Sequence, residues 1–365
     1  MKAKLAYLSS SESWGGLEMN HVRDAIWMRD RGHQVVIICV ANSPMEAQAL
    51  EQNLEVTTIE KQKKYYDFKK AKTLVAEITN KQISHLIVRS TYDISLLASV
   101  KHRLKNEIHT TYILGMQLGV KKKNLMHTIR YSYIDTWIVP LAYLAKQVRE
   151  WTNYKNALHV IPSGLDLNLL KQRPDRKSAR QILKLPENEL LFGLIGRFDE
   201  QKGQLLLLEA MQESRNKNYS VVFLGEPTKN EGKEYLEKMN EKLEDEDLNS
   251  RIHIRPFRED PETFYAAVDW VVMATKAETF GMVTIESIAC GTPVLGSNAG
   301  GTPDILRNET AGILFNTQDS SDLAEKIDKI IDEKIQFNQV ALEQMGLDYD
   351  YNKICEDFEK AIGLS

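Results

Sequence analysis

The chain has 365 residues with 47 Lys and Arg against 51 Asp and Glu, a formal net charge of −4, and 42% hydrophobic residues. These values exclude a disordered or fibrous chain, and the length predicts two globular domains. No signal-peptide pattern is present, and no apolar run approaches the roughly 18 residues that would span a bilayer. We therefore expect a cytoplasmic protein.

Strand and helix patterns alternate along the chain, and amphipathic stretches such as 69–81 and 203–214 predict helices. Short apolar runs predict strands at 4–8, 34–40, 55–59, 84–90, 108–114, 135–139, 157–161, 190–196, 219–225, 251–255, 269–274, 292–296 and 312–315. This alternation is typical of α/β domains with parallel sheets. Because Pro162 and Gly164 interrupt the pattern midway, we predict domains at 1–163 and 164–345, followed by a C-terminal segment, 346–365, whose helix lies near 350–362.

A loop of small residues follows the first predicted strand. It ends in Gly15 and Gly16 and leads into a helix. A Gly-Gly pair at such a turn can bring backbone amides close to a phosphate. Neither G-x-G-x-x-G nor a Gly-Lys-Ser/Thr sequence is present, so this loop alone is a weak signal.

A second loop, GRFDEQKG at 196–203, follows the predicted strand 190–196. It places Arg197 and Lys202 outside the carboxyl end of a strand, where open α/β sheets bind ligands. The planar fork of Arg and the compact charge of Lys together suit phosphate oxygens. The alternative is a solvated loop whose cations are balanced by Asp199 and Glu200.

A third segment, 277–294, reads as a turn and a helix after another buried strand. The first amides of that helix, around Phe280, Gly281, Met282 and Val283, can face an anion. Glu278 and Glu286 lie eight positions apart, which is roughly 10 Å or more along a helix. They would therefore hold two different groups of one extended ligand, unless both are ordinary surface charges.

Together these segments resemble the retaining, nucleotide-sugar-dependent glycosyltransferases of family four. The resemblance covers nearly the whole chain. Its motifs are the Gly-Gly loop, GHQVVII at 32–38, IPSGLD at 161–166, GRFDEQKG at 196–203, the E-x7-E segment and GTPVLGSNAGGTPDIL at 291–306. It implies the GT-B fold, in which two Rossmann-like domains face each other across a cleft, and a C-terminal helix that packs back on the first domain.

The resemblance also implies roles for individual residues. Glu278 would orient the donor sugar, and Glu286 would bind the ribose hydroxyls. The donor pyrophosphate would be held by Arg197, Lys202 and the amides of Gly15, Gly16, Met282 and Val283, with Phe280 and Gly281 forming the same donor-binding turn. Arg197, Lys202 and Glu278 are the catalytic candidates. The implied chemistry is front-face substitution driven by the leaving diphosphate, with no cofactor and no metal.

One position departs from the family pattern. Many relatives place a histidine before the glycine that ends the fifth strand, and Leu114 stands there in this chain. His109 lies five residues earlier and would point away from the ligand. For the acceptor side, we expect contacts from Arg89, Tyr92 and Gln117, which follow predicted strands.

Charge is divided unevenly, at +9 over residues 1–165 and −13 over residues 166–365. A basic first half would attract a phosphorylated acceptor or an anionic membrane surface. The segment Lys61–Lys72 interleaves lysines with aromatic residues, so it is our candidate for peripheral contact with the inner face of a membrane; the alternative is a solvated loop. Nucleic acid is a poor alternative partner, because no recognition motif accompanies the basic residues.

Three functions remain open. The first is transfer of a sugar to a glycan, lipid-linked or other small acceptor in cell-surface polysaccharide biosynthesis. The second is a sugar-nucleotide epimerase or a glycan phosphorylase on the same fold. The third is a non-catalytic nucleotide-sugar-binding partner, which Leu114 makes conceivable.

Overall fold

The computed structural model describes residues 2–61, 68–227, 232–276, 278–307 and 309–364. The chain divides into two compact units, Met1–Pro162 with Tyr351–Ser365, and Ser163–Asp350. The predicted division fell between residues 163 and 164, and the predicted C-terminal segment began at 346. In the structure the chain returns to the first unit five residues later, at Tyr351.

The first unit contains a seven-stranded parallel sheet in the order β3-β2-β1-β4-β5-β6-β7. Its strands are β1 Lys4–Ser9, β2 Gln34–Val40, β3 Glu55–Ile59, β4 His85–Val88, β5 His109–Ile113, β6 Thr136–Val139 and β7 Ala157–Val160. The helices between them are α1 Gly16–Asp30, α2 Pro44–Glu51, α3 Phe68–Asn80, α4 Ile94–Leu104, α5 Leu125–Ser132 and α6 Ala142–Trp151.

The second unit contains a six-stranded sheet in the order β10-β9-β8-β11-β12-β13, and all its pairs are parallel. Its strands are β8 Leu191–Ile195, β9 Ser220–Leu224, β10 Ile252–Arg255, β11 Trp270–Met273, β12 Val294–Ser297 and β13 Gly312–Phe315. Its helices are α7 Leu167–Lys171, α8 Arg176–Ile182, α9 Gln204–Glu213, α10 Lys233–Lys242, α11 Glu246–Ser250, α12 Pro261–Ala267, α13 Met282–Ala289, α14 Thr302–Leu306, α15 Ser320–Asp332 and α16 Gln339–Gly346.

Every predicted strand is present, with ends that differ by at most two residues. Both sheets are fully parallel because a helical crossover follows nearly every strand, and helices on both faces bury the apolar strands. The prediction of two Rossmann-like α/β domains is thereby confirmed.

The last helix, α17 Tyr351–Ala361, belongs to the first unit. Its apolar side, including Ile354 and Phe358, joins the buried core formed around β1 and β2. A charged contact also holds this helix, because Arg31 donates two hydrogen bonds, 2.9 and 2.8 Å long, to the Glu359 carboxylate. This bonding lowers the pKa of Glu359 to about 2.

Candidate functional site

Two predicted residues meet at the carboxyl edge of the second sheet. Strands β8 and β11 are neighbours, so the loops that follow them lie side by side. Lys202 comes from the first loop and Glu278 from the second, and Lys202 Nζ lies 3.2 Å from Glu278 Oε2. Their side chains are 24% and 26% exposed. The fold therefore brings together two charges that are 76 residues apart in sequence, at a place that solvent and a ligand can reach.

Asp199 fixes the loop that carries Lys202. Its Oδ1 accepts hydrogen bonds of 3.0 Å from the backbone N–H groups of Gln201 and Lys202. Its Oδ2 lies 3.6 Å from the guanidinium of Arg197, whose side chain is 63% exposed. The side chain of Gln204 also donates to the Arg197 carbonyl at 2.9 Å. The backbone is thus held while the Arg197 head group stays in solvent, where it can bind an anion.

Helix α13 begins directly beside this loop pair. Gly281 precedes this helix and has a φ of +98°, a backbone conformation that residues with a Cβ rarely adopt. The amides of Met282 and Val283 have no acceptor within the helix, because they lie in its first turn. Phe280 is 7% exposed and packs against Tyr349, with ring centroids 6.2 Å apart. The Phe280 side chain therefore anchors the turn.

Two consecutive glycines hold the backbone of Glu278. A Cβ on Gly300 would lie 2.1 Å from the Glu278 carbonyl oxygen, so only glycine fits there. The N–H of Gly301 donates to that same oxygen at 2.8 Å. The backbone of Glu278 is thus held in place by close packing.

Glu286 has a different partner. The hydroxyl of Tyr265 donates to Glu286 Oε2 at 2.6 Å, and Tyr265 is fully buried in helix α12. Burial, with the nearby Glu286 charge, raises the pKa of Tyr265 well above its usual value, so the hydroxyl keeps its proton. Tyr265 was missed in the sequence, where it lies 21 positions before Glu286 in an apolar stretch without a motif.

In the first unit, the Gly-Gly loop is closed by its own side chains. The N–H of Gly15 donates to Glu18 Oε2 at 3.1 Å, which forms a capping box at the start of α1. Ser10 donates from its N–H and its hydroxyl to Asp93, which is fully buried. Burial outweighs these hydrogen bonds and raises the pKa of Asp93 to about 6. For the Gly15 amide to contact a phosphate, Glu18 would have to give way.

The acceptor candidates follow β4 and β5, which are neighbours in the first sheet. Arg89 is 8% exposed and forms an ion pair with Asp24, so its charge is already compensated. Gln117 donates to the Tyr143 hydroxyl at 3.1 Å. Tyr92 is 54% exposed, which makes it the most accessible of the three candidates.

Leu114 lies at the carboxyl end of β5 and is 2% exposed. Its N–H bonds to the Ile138 carbonyl at 2.8 Å, which continues the pairing with β6. His109 lies at the opposite end of β5, with Nε2 3.0 Å from Thr136 Oγ1, as its spacing from Leu114 predicted. His21 is 1% exposed, and burial lowers its pKa to about 3, so it is a neutral core residue.

Half of the predicted membrane segment Lys61–Lys72 lies outside the described residues, since 62–67 are not among them. In the part of the chain that the structure describes, no helix is long and apolar enough to cross a bilayer. Within that same part, no group of three or more His, Cys, Asp or Glu side chains could hold a metal ion. Independence from metal stays a prediction.

Comparison with solved structures defines the class of fold. A glycosyltransferase from Rickettsia africae superposes with a TM-score of 0.85 at 17% identity, and HepE of Anabaena in complex with UDP with a TM-score of 0.84 at 19% identity. Each comparison covers 100% of both chains. The chain has the GT-B fold of these glycosyltransferases, and at such low identity the likeness shows the fold alone.

The second unit also matches a known family in sequence. Residues 175–343 match the model of the family described as "Glycosyl transferases group 1". A D-inositol 3-phosphate glycosyltransferase of Catenulispora acidiphila is 30% identical over 184 residues, and one of Corynebacterium jeikeium is 30% identical over 183. These matches cover 48% of this chain and 44% and 43% of the two relatives. The chain thus spans less than half the length of the curated relatives that it matches.

Proposed function

We propose that this protein is a retaining glycosyltransferase that moves a sugar from a nucleotide-sugar to a hydroxyl group of an acceptor. The observation that carries the proposal is the contact between Lys202 and Glu278 at the start of helix α13. A cation and a carboxylate side by side can bind two adjoining groups of one ligand. The cation suits a phosphate, and the carboxylate suits sugar hydroxyls.

Catalysis in this proposal depends on the leaving group. As the bond between sugar and diphosphate breaks, negative charge grows on the phosphate oxygens. Lys202, Arg197 and the amides of Met282 and Val283 stabilise that charge. The departing phosphate takes the proton of the acceptor hydroxyl, so no protein carboxylate has to act as nucleophile or base.

Separate partners support this division of roles. Glu278 faces Lys202, while Glu286 accepts from Tyr265 on another helix. In this proposal Glu278 orients the sugar, and Glu286 binds the ribose hydroxyls. A retaining mechanism with two carboxylates would need them about 5 Å apart on either side of the sugar.

For the acceptor, we propose a glycan, a lipid-linked or another small hydroxyl compound of cell-surface polysaccharide biosynthesis. The enzyme would act in the cytoplasm, at the inner face of the membrane. The net charge of +9 over residues 1–165 supports an anionic acceptor or surface. The D-inositol 3-phosphate named for the relatives belongs in the acceptor panel for this reason.

Thermal denaturation with nucleoside diphosphates tests the donor site first. One of UDP, GDP, ADP or their sugars, at about 100 times its dissociation constant, should stabilise the folded chain by roughly 2.7 kcal/mol. UDP is the first choice because HepE, which shares the fold, was solved with UDP and with UDP-glucose. Absence of any shift across the panel would contradict the proposal.

The buried Leu114 favours one second candidate, a donor-binding partner without activity. Product analysis separates the two. Stabilisation by a nucleotide-sugar without product, across a broad acceptor panel, would favour the inactive partner. A new glycosidic bond with retained configuration would establish the transferase.

A further inference from the structure

A surface of the first unit exposes four large apolar side chains between residues 116 and 129, which we call the 116–129 surface. The exposed fractions are 60% for Met116, 65% for Val120, 75% for Leu125 and 50% for Ile129. They lie in the loop after β5 and in helix α5. A single exposed leucine needs no explanation, but four within 14 residues indicate a contact surface.

Helix α5 has its apolar residues on the unexpected side. Leu125 and Ile129 are four positions apart, so they share one face, and that face is exposed. The buried residues of this helix are Arg130 and Tyr131. A surface helix normally turns its apolar stripe toward the core. Here the stripe faces outward.

The surrounding backbone holds this surface in place. Asn124 caps the helix by accepting from the N–H of His127 at 2.9 Å. The side chain of Asn153 donates to the Lys123 carbonyl and to the Thr128 hydroxyl, both at 3.0 Å. The N–H of Lys122 donates to the Trp151 carbonyl at 2.7 Å. The outward direction of Leu125 is therefore fixed by the fold.

The charge around these side chains is of one sign. Lys121, Lys122 and Lys123 lie between Val120 and Leu125, and Lys121 and Lys123 are exposed. No Asp or Glu occurs in the sequence from residue 108 to residue 134. Apolar side chains bordered by lysines fit a bilayer interface, where acyl chains receive the former and lipid phosphates the latter.

We propose that the 116–129 surface binds an anionic lipid bilayer. A second copy of the chain fits less well, because a twofold contact would bring the same lysines face to face. Only the purpose of this binding rests on the proposed function, because the bilayer contact would hold the enzyme beside a lipid-linked acceptor. The vesicle contact itself requires neither donor nor turnover.

Cosedimentation of the full chain with vesicles tests the proposal. Vesicles of phosphatidylcholine with one third phosphatidylglycerol should bind the chain, and pure phosphatidylcholine should bind it several-fold less. The double variant Leu125→Ser/Ile129→Ser should weaken binding, and Lys121→Glu/Lys123→Glu should weaken it roughly fivefold or more, because each basic residue near the surface adds attraction.

Matched controls come from the second unit. Val340 is 73% exposed, and the Lys233 side chain is 91% exposed, so Val340→Ser and Lys233→Glu remove comparable groups elsewhere. Both should bind vesicles as the unchanged chain does. Stabilisation by the same panel of nucleoside diphosphates and their sugars is measured on the unchanged chain and on every variant. Absence of any shift in all of them would count against the proposed function and not against the lipid surface.

Two results would overturn the inference. One is that the unchanged chain fails to bind anionic vesicles, or binds them equally well after both double substitutions. The other is that sedimentation equilibrium shows a dimer that Leu125→Ser/Ile129→Ser dissociates. The surface would then be an interface between copies.

Discussion

The two units share one winding pattern but differ at the edge where their loops gather. In both sheets the first strand in sequence lies within the sheet and not at an edge. The next two strands extend the sheet on one side of it, and the later strands extend the sheet on its other side. At the carboxyl edge of the second unit, Lys202 and Glu278 are about a quarter exposed. At that of the first unit, Asp93 and Arg89 are buried and already paired with Ser10 and Asp24. The same winding pattern therefore carries an open charged site in one unit and a closed polar network in the other.

The largest effect should come from the open site. Lys202→Ala removes a cation whose charge-assisted hydrogen bonds contribute roughly 1.5–3 kcal/mol each, so turnover at saturating donor should fall at least about tenfold. Arg197→Ala should also lower turnover at least about tenfold, because the exposed guanidinium of Arg197 can reach the phosphate. Steady-state kinetics, with circular dichroism to establish folding, measure both.

A matched control for these variants is Lys276→Ala. Lys276 follows β11, its side chain is 49% exposed, and it lies 3.6 Å from Glu200. It is a cation of the same edge that we assign no role in transfer, so its loss should change turnover less than about twofold. Normal turnover in both Lys202→Ala and Arg197→Ala would remove the basis for the assigned donor site.

The next effect concerns the closed network of the first unit. Burial raises the pKa of Asp93 to about 6, while an unfolded Asp titrates near 3.9. Between about pH 4 and pH 6 the folded chain therefore binds more protons, so this group makes the protein less stable as pH rises through that window. A pKa that is higher by about 2 in the folded chain corresponds to a free-energy difference on the order of 3 kcal/mol.

Asp93→Asn tests this directly, since Asn does not titrate. Urea denaturation from pH 4 to pH 8 should show the unchanged chain losing stability relative to Asp93→Asn up to about pH 6. Above about pH 7 the two profiles should run parallel. Parallel profiles over the whole range would mean that Asp93 does not carry a raised pKa.

The contrast between the units also explains which parts of the fold and of the candidate site could be predicted from the sequence. The strands were predictable because parallel, doubly covered strands are continuous apolar runs with turns between them. The backbone of the candidate donor edge was predictable because it demands particular residues at fixed spacing: Gly281 needs a positive φ, and Gly300 touches the Glu278 backbone. The role of this edge in donor binding stays a prediction.

The acceptor edge carries no such constraint. Arg89 was predicted to contact the acceptor, yet it is buried against Asp24, which lies 65 positions earlier. Ser10 and Asp93 are 83 positions apart, and neither belongs to a motif. Pairs that only tertiary packing brings together leave no local pattern, and this is also why Tyr265 was missed.

The smallest effect tests whether Tyr265 positions Glu286. Tyr265→Phe leaves the carboxylate without its 2.6 Å donor, so Glu286 should rotate more freely and grip the ribose less well. A hydrogen bond to a charged group contributes roughly 1.5–3 kcal/mol, and we expect about 1 kcal/mol of this to reach donor binding, because the Glu286 carboxylate itself remains. The KM for the donor should therefore rise about fivefold, while kcat changes little.

A 2′-deoxy donor distinguishes this role from general loosening of the unit. The unchanged chain should discriminate against the deoxy donor, and Tyr265→Phe should do so several-fold less, because the grip on the ribose is already weakened. Tyr154→Phe is the control, since that buried hydroxyl donates to the Ala157 carbonyl at 2.7 Å within the first unit. Equal discrimination by Tyr265→Phe and the unchanged chain would show that Tyr265 supports only the packing of α12, and that the ribose contact does not depend on how Glu286 is held.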